Sequence, residues 1–226
     1  MDARRAVGVC CARKRVARLL RAAGLVGCHR RRRTRTTVAD LARSPAPDLV
    51  ARDFTAAAPN RLWFGDITYI ATAEGWLYLA MLLDAHSRRI VGWAMAEHLL
   101  AELAERALAM ALLRHRPPPG LVHHSDRGGQ YTAAAYQVRL ADRGIVCSMR
   151  RAGACLDNIV VERFFATHKA ELVNTRAWPT RAAARQAIFA WRAVRYNRQR
   201  RHAALAYRIP VTHEEGQMLL LQDLAA

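Results

Sequence analysis

The chain has 226 residues, enough for one substantial core with a small appendage. A hydrophobic content of 52% excludes general disorder. A balance of 36 Lys and Arg against 18 Asp and Glu leaves a net charge of +18, which points to a polyanionic partner, nucleic acid before membrane. A GC-rich coding bias accounts for Arg in place of Lys, but not for a twofold excess of base over acid. No apolar run reaches the roughly 18 residues a membrane-spanning helix needs. The arginine-rich start lacks the apolar stretch of a signal peptide. Cys10, Cys11, Cys28, Cys147 and Cys155 contain no C-x-x-C pair, and Cys28-His29 after Cys10-Cys11 fits no zinc-finger spacing. They read as small buried hydrophobes in a reducing cytoplasm.

In chain order, residues 1–37 carry twelve basic residues and one acid, Asp2. The spacing of Val16, Leu19, Leu20 and Ala23 predicts a helix over 12–23, with Arg13, Lys14, Arg18 and Arg21 on its other faces and Gly24 as its C-cap. His29 to Thr37, with Arg30, Arg31, Arg32 and Arg33 in a row, reads as a basic arm suited to phosphates. Residues 38–60, with Ser44-Pro45-Ala46-Pro47 and Pro59-Asn60, form a linker.

After the linker the pattern changes to strands. Residues 61–71, 76–83 and 89–95 predict an antiparallel meander, turned by Glu74-Gly75 and by Asp84-Ala85-His86-Ser87. Asp84 is expected to cap its turn and is not counted as a ligand. Residues 101–115 predict a helix with Leu103, Ala107, Met110 and Leu113 inward. A strand over 121–125, a helix over 132–142, a short strand over 145–147 and a helix from about 157 to 173 follow. A further helix over 180–196 is expected, with Ala184, Ile188, Trp191 and Val194 as its apolar stripe. Residues 172–213 hold nine arginines and no acid.

Three carboxylates stand out. Asp66 lies in the strand-like Trp63-Phe64-Gly65-Asp66-Ile67-Thr68-Tyr69-Ile70, and Asp126 ends the strand before Gly128-Gly129. Glu162 falls on the helix after Asp157-Asn158. Two strand-borne aspartates and a helix-borne glutamate, each in an apolar context, are the hard oxygen donors that a pair of divalent ions about 3.5–4 Å apart requires. Asn158, Glu162 and Lys169 share a helix face, so Asn158 and Lys169 flank the glutamate, Lys169 as a point charge for phosphate. Arg150 and Arg151 make a basic loop ahead of that helix, and Arg201 belongs to the basic C-terminal region. His123 and His124 read as structural, because Mg²⁺ prefers oxygen, with His124 placed to orient Asp126 or a phosphate.

These residues carry a resemblance. Asp66-Ile67-Thr68-Tyr69-Ile70, then His124-Ser125-Asp126 with Gly128 and Gln130-Tyr131, then Ser148-Met149, Gly153, Asp157-Asn158, Glu162, Lys169 and Glu171 are similar to the transposases of the insertion sequence 3 family, in the retroviral integrase superfamily. Tyr196-Asn197, Arg201-His202 and Leu205 resemble that family's C-terminal signature. His168 stands where the family usually has leucine.

The resemblance implies an α/β chain of ribonuclease H-like fold, a five-stranded mixed sheet flanked by helices. It divides the chain into 1–37, a partial helix-turn-helix; 38–60, the linker; 61–175, the integrase catalytic core; and 176–226, a basic helical extension. It implies a DDE transposase of an insertion sequence, with Asp66, Asp126 and Glu162 holding two Mg²⁺ or Mn²⁺ ions for phosphoryl transfer. The implied partners are double-stranded DNA, further copies of the chain, and the product of a preceding reading frame, in a bacterial, nucleoid-associated setting. Two alternatives stand beside it: a ribonuclease H-like nuclease that only hydrolyses, and a catalytically silent DNA-binding fragment that regulates a longer transposase.

Overall fold

The computed structural model describes residues 12–25, 46–150 and 159–223. Strands β1 (Leu62–Thr72), β2 (Gly75–Asp84) and β3 (Ile90–Ala96) form an antiparallel meander. β4 (Val122–Ser125) joins β1 in parallel and β5 (Val146–Met149) joins β4 in parallel, giving the order β3-β2-β1-β4-β5. The sheet is five-stranded and mixed, as the sequence implied.

Period-two alternation divides the sheet into two cores. Phe64, Leu77, Leu79, Met81 and Leu83 face one side, and Trp63, Ala80 and Leu82 face the other. Both faces of β2 are covered, which is why it reads as an unbroken apolar run. α1 (Arg13–Ala22) precedes the sheet, α2 (Ala101–His115) follows β3, and α3 (Gly129–Thr132) and α4 (Ala134–Ala141) lie between β4 and β5. α5 (Ile159–Glu171), α6 (Arg181–Ala190) and α7 (Pro210–Asp223) complete the chain. The first core takes Phe164 and Phe165 from α5 and Ile188 from α6, and the second takes Leu103 and Leu108 from α2.

Three helical expectations are corrected. α2 buries Leu103, Ala104, Ala107, Leu108 and Ala111, while Leu113 is exposed. The helix lies so close to β3 that a Cβ on Gly92 would fall 2.3 Å from the Ala107 carbonyl oxygen, and only a stripe with alanines fits there. The expected helix over 132–142 is broken at Ala133, whose ψ is 136. Residues five apart in a straight helix point about 140° apart, and the break lets Tyr131 and Tyr136 both pack on His123, with centroids at 5.9 and 5.6 Å. The expected helix over 180–196 becomes π-helical at Trp191–Tyr196. The wider turn carries the buried stripe from Trp191 to Tyr196 and leaves Val194 exposed.

Asp84 caps its turn. Its Oδ1 accepts from the Ser87 N–H at 2.7 Å and hydroxyl at 2.9 Å, and its Oδ2 accepts from the Asn60 N–H at 2.8 Å. Gly24, at φ 68, ends α1 as expected, with the Leu25 N–H bonded to the Leu20 carbonyl at 2.9 Å. Leu19 and Leu20 on that helix are exposed.

Candidate active site

The pairing of β1 with β4 leads toward two of the three carboxylates. Leu62, Trp63 and Phe64 stand opposite Val122, His123 and His124. The pairing ends there, and the same offset continued for two residues would set Asp66 opposite Asp126, which directly follows β4. Alternation along β1 turns Asp66 toward the face of Phe64 and His124, whose rings meet edge to face at 5.8 Å. α5 covers that face with Val161, Phe164 and Phe165. Backbone donors orient each aspartate: Asp66 Oδ1 accepts from the Ile67 N–H at 2.8 Å, and Asp126 Oδ1 accepts from the Gly128 N–H at 2.9 Å. A Cβ on Gly128 would fall 2.9 Å from Asp126 Oδ1, so this cradle depends on glycine.

α5 carries Glu162 to Arg150. Beside β4, Ser125 stands opposite Met149, and the next N–H, of Arg150, donates to the Ser125 carbonyl at 3.0 Å. Arg127 Nε donates to the Arg150 carbonyl at 2.7 Å. Arg150 is therefore fixed next to Asp126, and its Nη1 lies 3.8 Å from Glu162 Oε1. Further along α5, Lys169 Nζ lies 5.0 Å from the centroid of the Tyr69 ring on β1. All three carboxylates are half-buried. Among the described residues, no three His, Cys, Asp or Glu side chains are grouped closely enough to hold a metal ion, and Arg150 keeps ion-pair distance from Glu162.

Both neighbouring histidines have structural partners. His123 Nε2 is 3.0 Å from the Tyr136 hydroxyl, and burial, with His124 adding to it, pushes its pKa down to about 3. His124 Nδ1 is 2.9 Å from Ser148 Oγ. Tyr131 had no role assigned from the sequence, although it lies in the Gln130-Tyr131 motif. It is buried in the second core, and its pKa is raised well above the ordinary value by burial first, then by Tyr136, Asp66 and Asp126. Arg127, which ties the end of β5 to Asp126, had no sequence signal beyond its place in the motif.

The remaining residues singled out in the sequence lie apart. Arg13 opens α1, Lys14 and Arg18 are exposed on it, and Arg201 is exposed beyond the π-helical turn. Arg30, Arg31, Arg32, Arg33, Arg151 and Asn158 lie outside the described residues, as do Cys10, Cys11, Cys28 and Cys155. Cys147 is half-buried against the second core.

The integrase core domain family matches the chain twice, over residues 56–155 and residues 143–210. The insertion element IS600 uncharacterized 31 kDa protein of Shigella sonnei is 42% identical over 209 residues, covering 92% of this chain and 76% of that protein. Transposase InsF for insertion sequence IS3A of Escherichia coli K12 is 44% identical over 156 residues, covering 69% of this chain and 54% of InsF. This chain belongs to the insertion sequence 3 transposases of the integrase core family. The chain spans about half the length of InsF and about three quarters of the IS600 protein. Family membership makes it an enzyme of the polynucleotidyl transferase class. The HTLV-2 integrase catalytic core domain in complex with magnesium shares its ribonuclease H-like fold, with a TM-score of 0.52 and 17% identity over 70% of this chain and 98% of that one.

Proposed function

We propose that this integrase core transposase cuts and joins the DNA ends of its own insertion sequence by 3′-hydroxyl transesterification, with Asp66, Asp126 and Glu162 as ligands to two Mg²⁺ or Mn²⁺ ions. The observation that supports the reading is the β1–β4 register, which leads toward Asp66 and Asp126, together with Arg150, bonded beside Asp126 and 3.8 Å from Glu162 Oε1. The donor set fits divalent cations: it is all oxygen, half-buried, and built on strands and a helix. A bound HTLV-2 magnesium ion is a precedent within the fold. When bound, such ions activate the attacking hydroxyl or water and stabilise the leaving 3′-oxygen.

The chain's own residues do the rest. The Ile67 and Gly128 N–H groups hold the two aspartates in fixed orientations. Arg150 balances Glu162 before ligand arrives, and once released it supplies a guanidinium fork for a phosphate beside Asp126. Lys169, on the exposed Tyr69 ring, extends the positive track along α5. Lys14 and Arg18 on α1, Arg13 at its start, the basic arm Arg30–Arg33 and Arg201 add sequence-independent grip on the duplex. The N-terminal helix and arm act as a DNA-binding segment apart from the 61–175 core, and copies of the chain pair two element ends in a cytoplasmic complex. Among the described residues no helix is long and apolar enough to cross a membrane.

The test is a strand-transfer assay with labelled element ends and Mn²⁺. Joined products support transposition. Cleavage without joining indicates a nuclease, and retarded but intact DNA indicates a silent DNA-binding fragment. Glu162→Gln is expected to abolish both cutting and joining while DNA retardation persists; a variant that still cuts overturns the ligand assignment.

A further inference from the structure

A cavity of about 470 Å³ opens at the start of β3, the edge strand two strands away from β1 and Asp66. Asn60, which borders it, precedes Asp66 by six residues, roughly 20 Å of strand. Its wall brings together Arg89 and Ile90 at the start of β3, Arg114 and His115 from the last turn of α2, Arg192 and Asn197 from the π-helical region, and Glu214 from α7. None of these residues belongs to the carboxylate site.

Charge in this cavity is unbalanced. Glu214 is the one acid in its wall, and it is committed: Oε1 accepts from Arg89 Nη1 at 2.8 Å and Oε2 accepts from the Ser87 hydroxyl at 2.8 Å. Asp84, buried behind the wall, is saturated by Asn60 and Ser87. His115 Nδ1 lies 3.7 Å from Glu214 Oε1, but burial and then Arg89 hold its pKa down to about 4, so it is neutral. Among the described residues neither Arg114 nor Arg192 has a carboxylate at ion-pair distance.

Arg192 is the decisive side chain. It is only 6% exposed, yet its Nε has no hydrogen-bond partner among the described residues. Its guanidinium is held flat by aromatic rings, 4.4 Å from the Trp93 centroid and 5.4 Å from that of Phe189. Burial, and then the nearby Arg114, lower its pKa to about 10, which leaves it charged at neutral pH. A buried cation with an unused donor, fixed beside a second unmatched guanidinium, has a need that a dianion meets. Guanidinium forks suit phosphate oxygens, which they grip in pairs.

We propose that this cavity binds a terminal phosphate group, the dianionic kind carried by a phosphomonoester, with Arg114 and Arg192 as its ligands. The group comes either from a free phosphate compound or from the 5′-phosphate of a DNA end.

Arg114 is exposed, so its replacement leaves the core intact and tests the site without unfolding it. Calorimetric titration of the full chain with inorganic phosphate, in EDTA, is expected to give saturable binding that weakens at least fivefold in Arg114→Gln. Arg106→Gln, the same charge loss at an exposed position of α2 outside the cavity, is expected to bind as the wild type does. Equal weakening in both variants, or no saturable binding by wild type, overturns the proposal. Competition by short duplexes with 5′-phosphate or 5′-hydroxyl ends then separates the sources. A preference for the phosphorylated end that Arg114→Gln removes assigns a DNA end, and equal competition assigns a free phosphate compound.

Discussion

Asn197 holds the start of β3 by both of its amide atoms: Oδ1 accepts from the Ile90 N–H at 3.1 Å, and Nδ2 donates to the Ile90 carbonyl at 3.3 Å. The π-helical turn delivers Asn197 to this place, directly after the buried Tyr196. Tyr196-Asn197, read from sequence as a family signature, therefore has a structural task at the start of β3, apart from the carboxylates. Asn197→Ala leaves a buried N–H and carbonyl without partners, at a cost of roughly 2–4 kcal/mol. Urea denaturation is the check: a midpoint close to wild type would mean that the two bonds do not support the fold.

Gly92→Ala is expected to be more damaging than a surface glycine replacement. The added methyl would stand 2.3 Å from the Ala107 carbonyl oxygen and 2.7 Å from the Ala111 Cβ, so α2 must shift. Overpacking of this kind costs about 1–3 kcal/mol or more. Gly129→Ala, with nothing within 4 Å of its Cβ, is the control in the same thermal melt.

His168 sits among Phe164 and Trp191 with neither ring nitrogen hydrogen-bonded. Burial, and then Lys169, push its pKa down to about 4 from an ordinary 6.5. The unfolded chain therefore binds the extra proton first, and stability falls as the pH drops from about 6.5 to about 4. Across that window the loss from this residue is of order 3 kcal/mol. His168→Leu, the residue usual in the family, is expected to flatten the acid side of a melting-temperature profile. An unchanged slope would place the acid sensitivity elsewhere, for instance at His123.

Gly128→Ala separates catalysis from folding. Its Cβ would press on Asp126 Oδ1 at 2.9 Å in a half-buried turn, not in the core. Displacing a catalytic group by about 1 Å can cost 10²-fold in rate. Strand transfer is expected to fall at least tenfold while the melting temperature stays within a few degrees of wild type; full activity would show that this cradle does not orient the aspartate.

Much of the sheet was legible in the sequence because strand signals are local. The alternation around Asp66 and the unbroken apolar run of β2 each state which faces are covered. What could not be read was helix phase. The stripe of α2 is set by how closely Gly92 lets the helix approach, and the π-helical turn is set by where Tyr196 and Asn197 must land. At the site, the types and spacing of the three carboxylates were readable from their motifs. The Arg150–Glu162 pair was not, because it joins a strand end to a helix across residues far apart in register, and neither side chain announces its partner. The cavity around Arg192 was hidden for the same reason, being assembled from five separate segments.

The central claim is that Asp66, Asp126 and Glu162 gather around the same divalent ions. Iron(II) loaded in place of magnesium, with ascorbate and peroxide, cuts a polypeptide backbone only near where the metal sits. Mapping the fragments is expected to show cuts beside Asp66, Asp126 and Glu162 together, all suppressed by excess Mg²⁺ and all lost in Asp126→Asn. Cuts near the two aspartates with none along α5 would contradict the claim, because Glu162 would then lie outside the metal site.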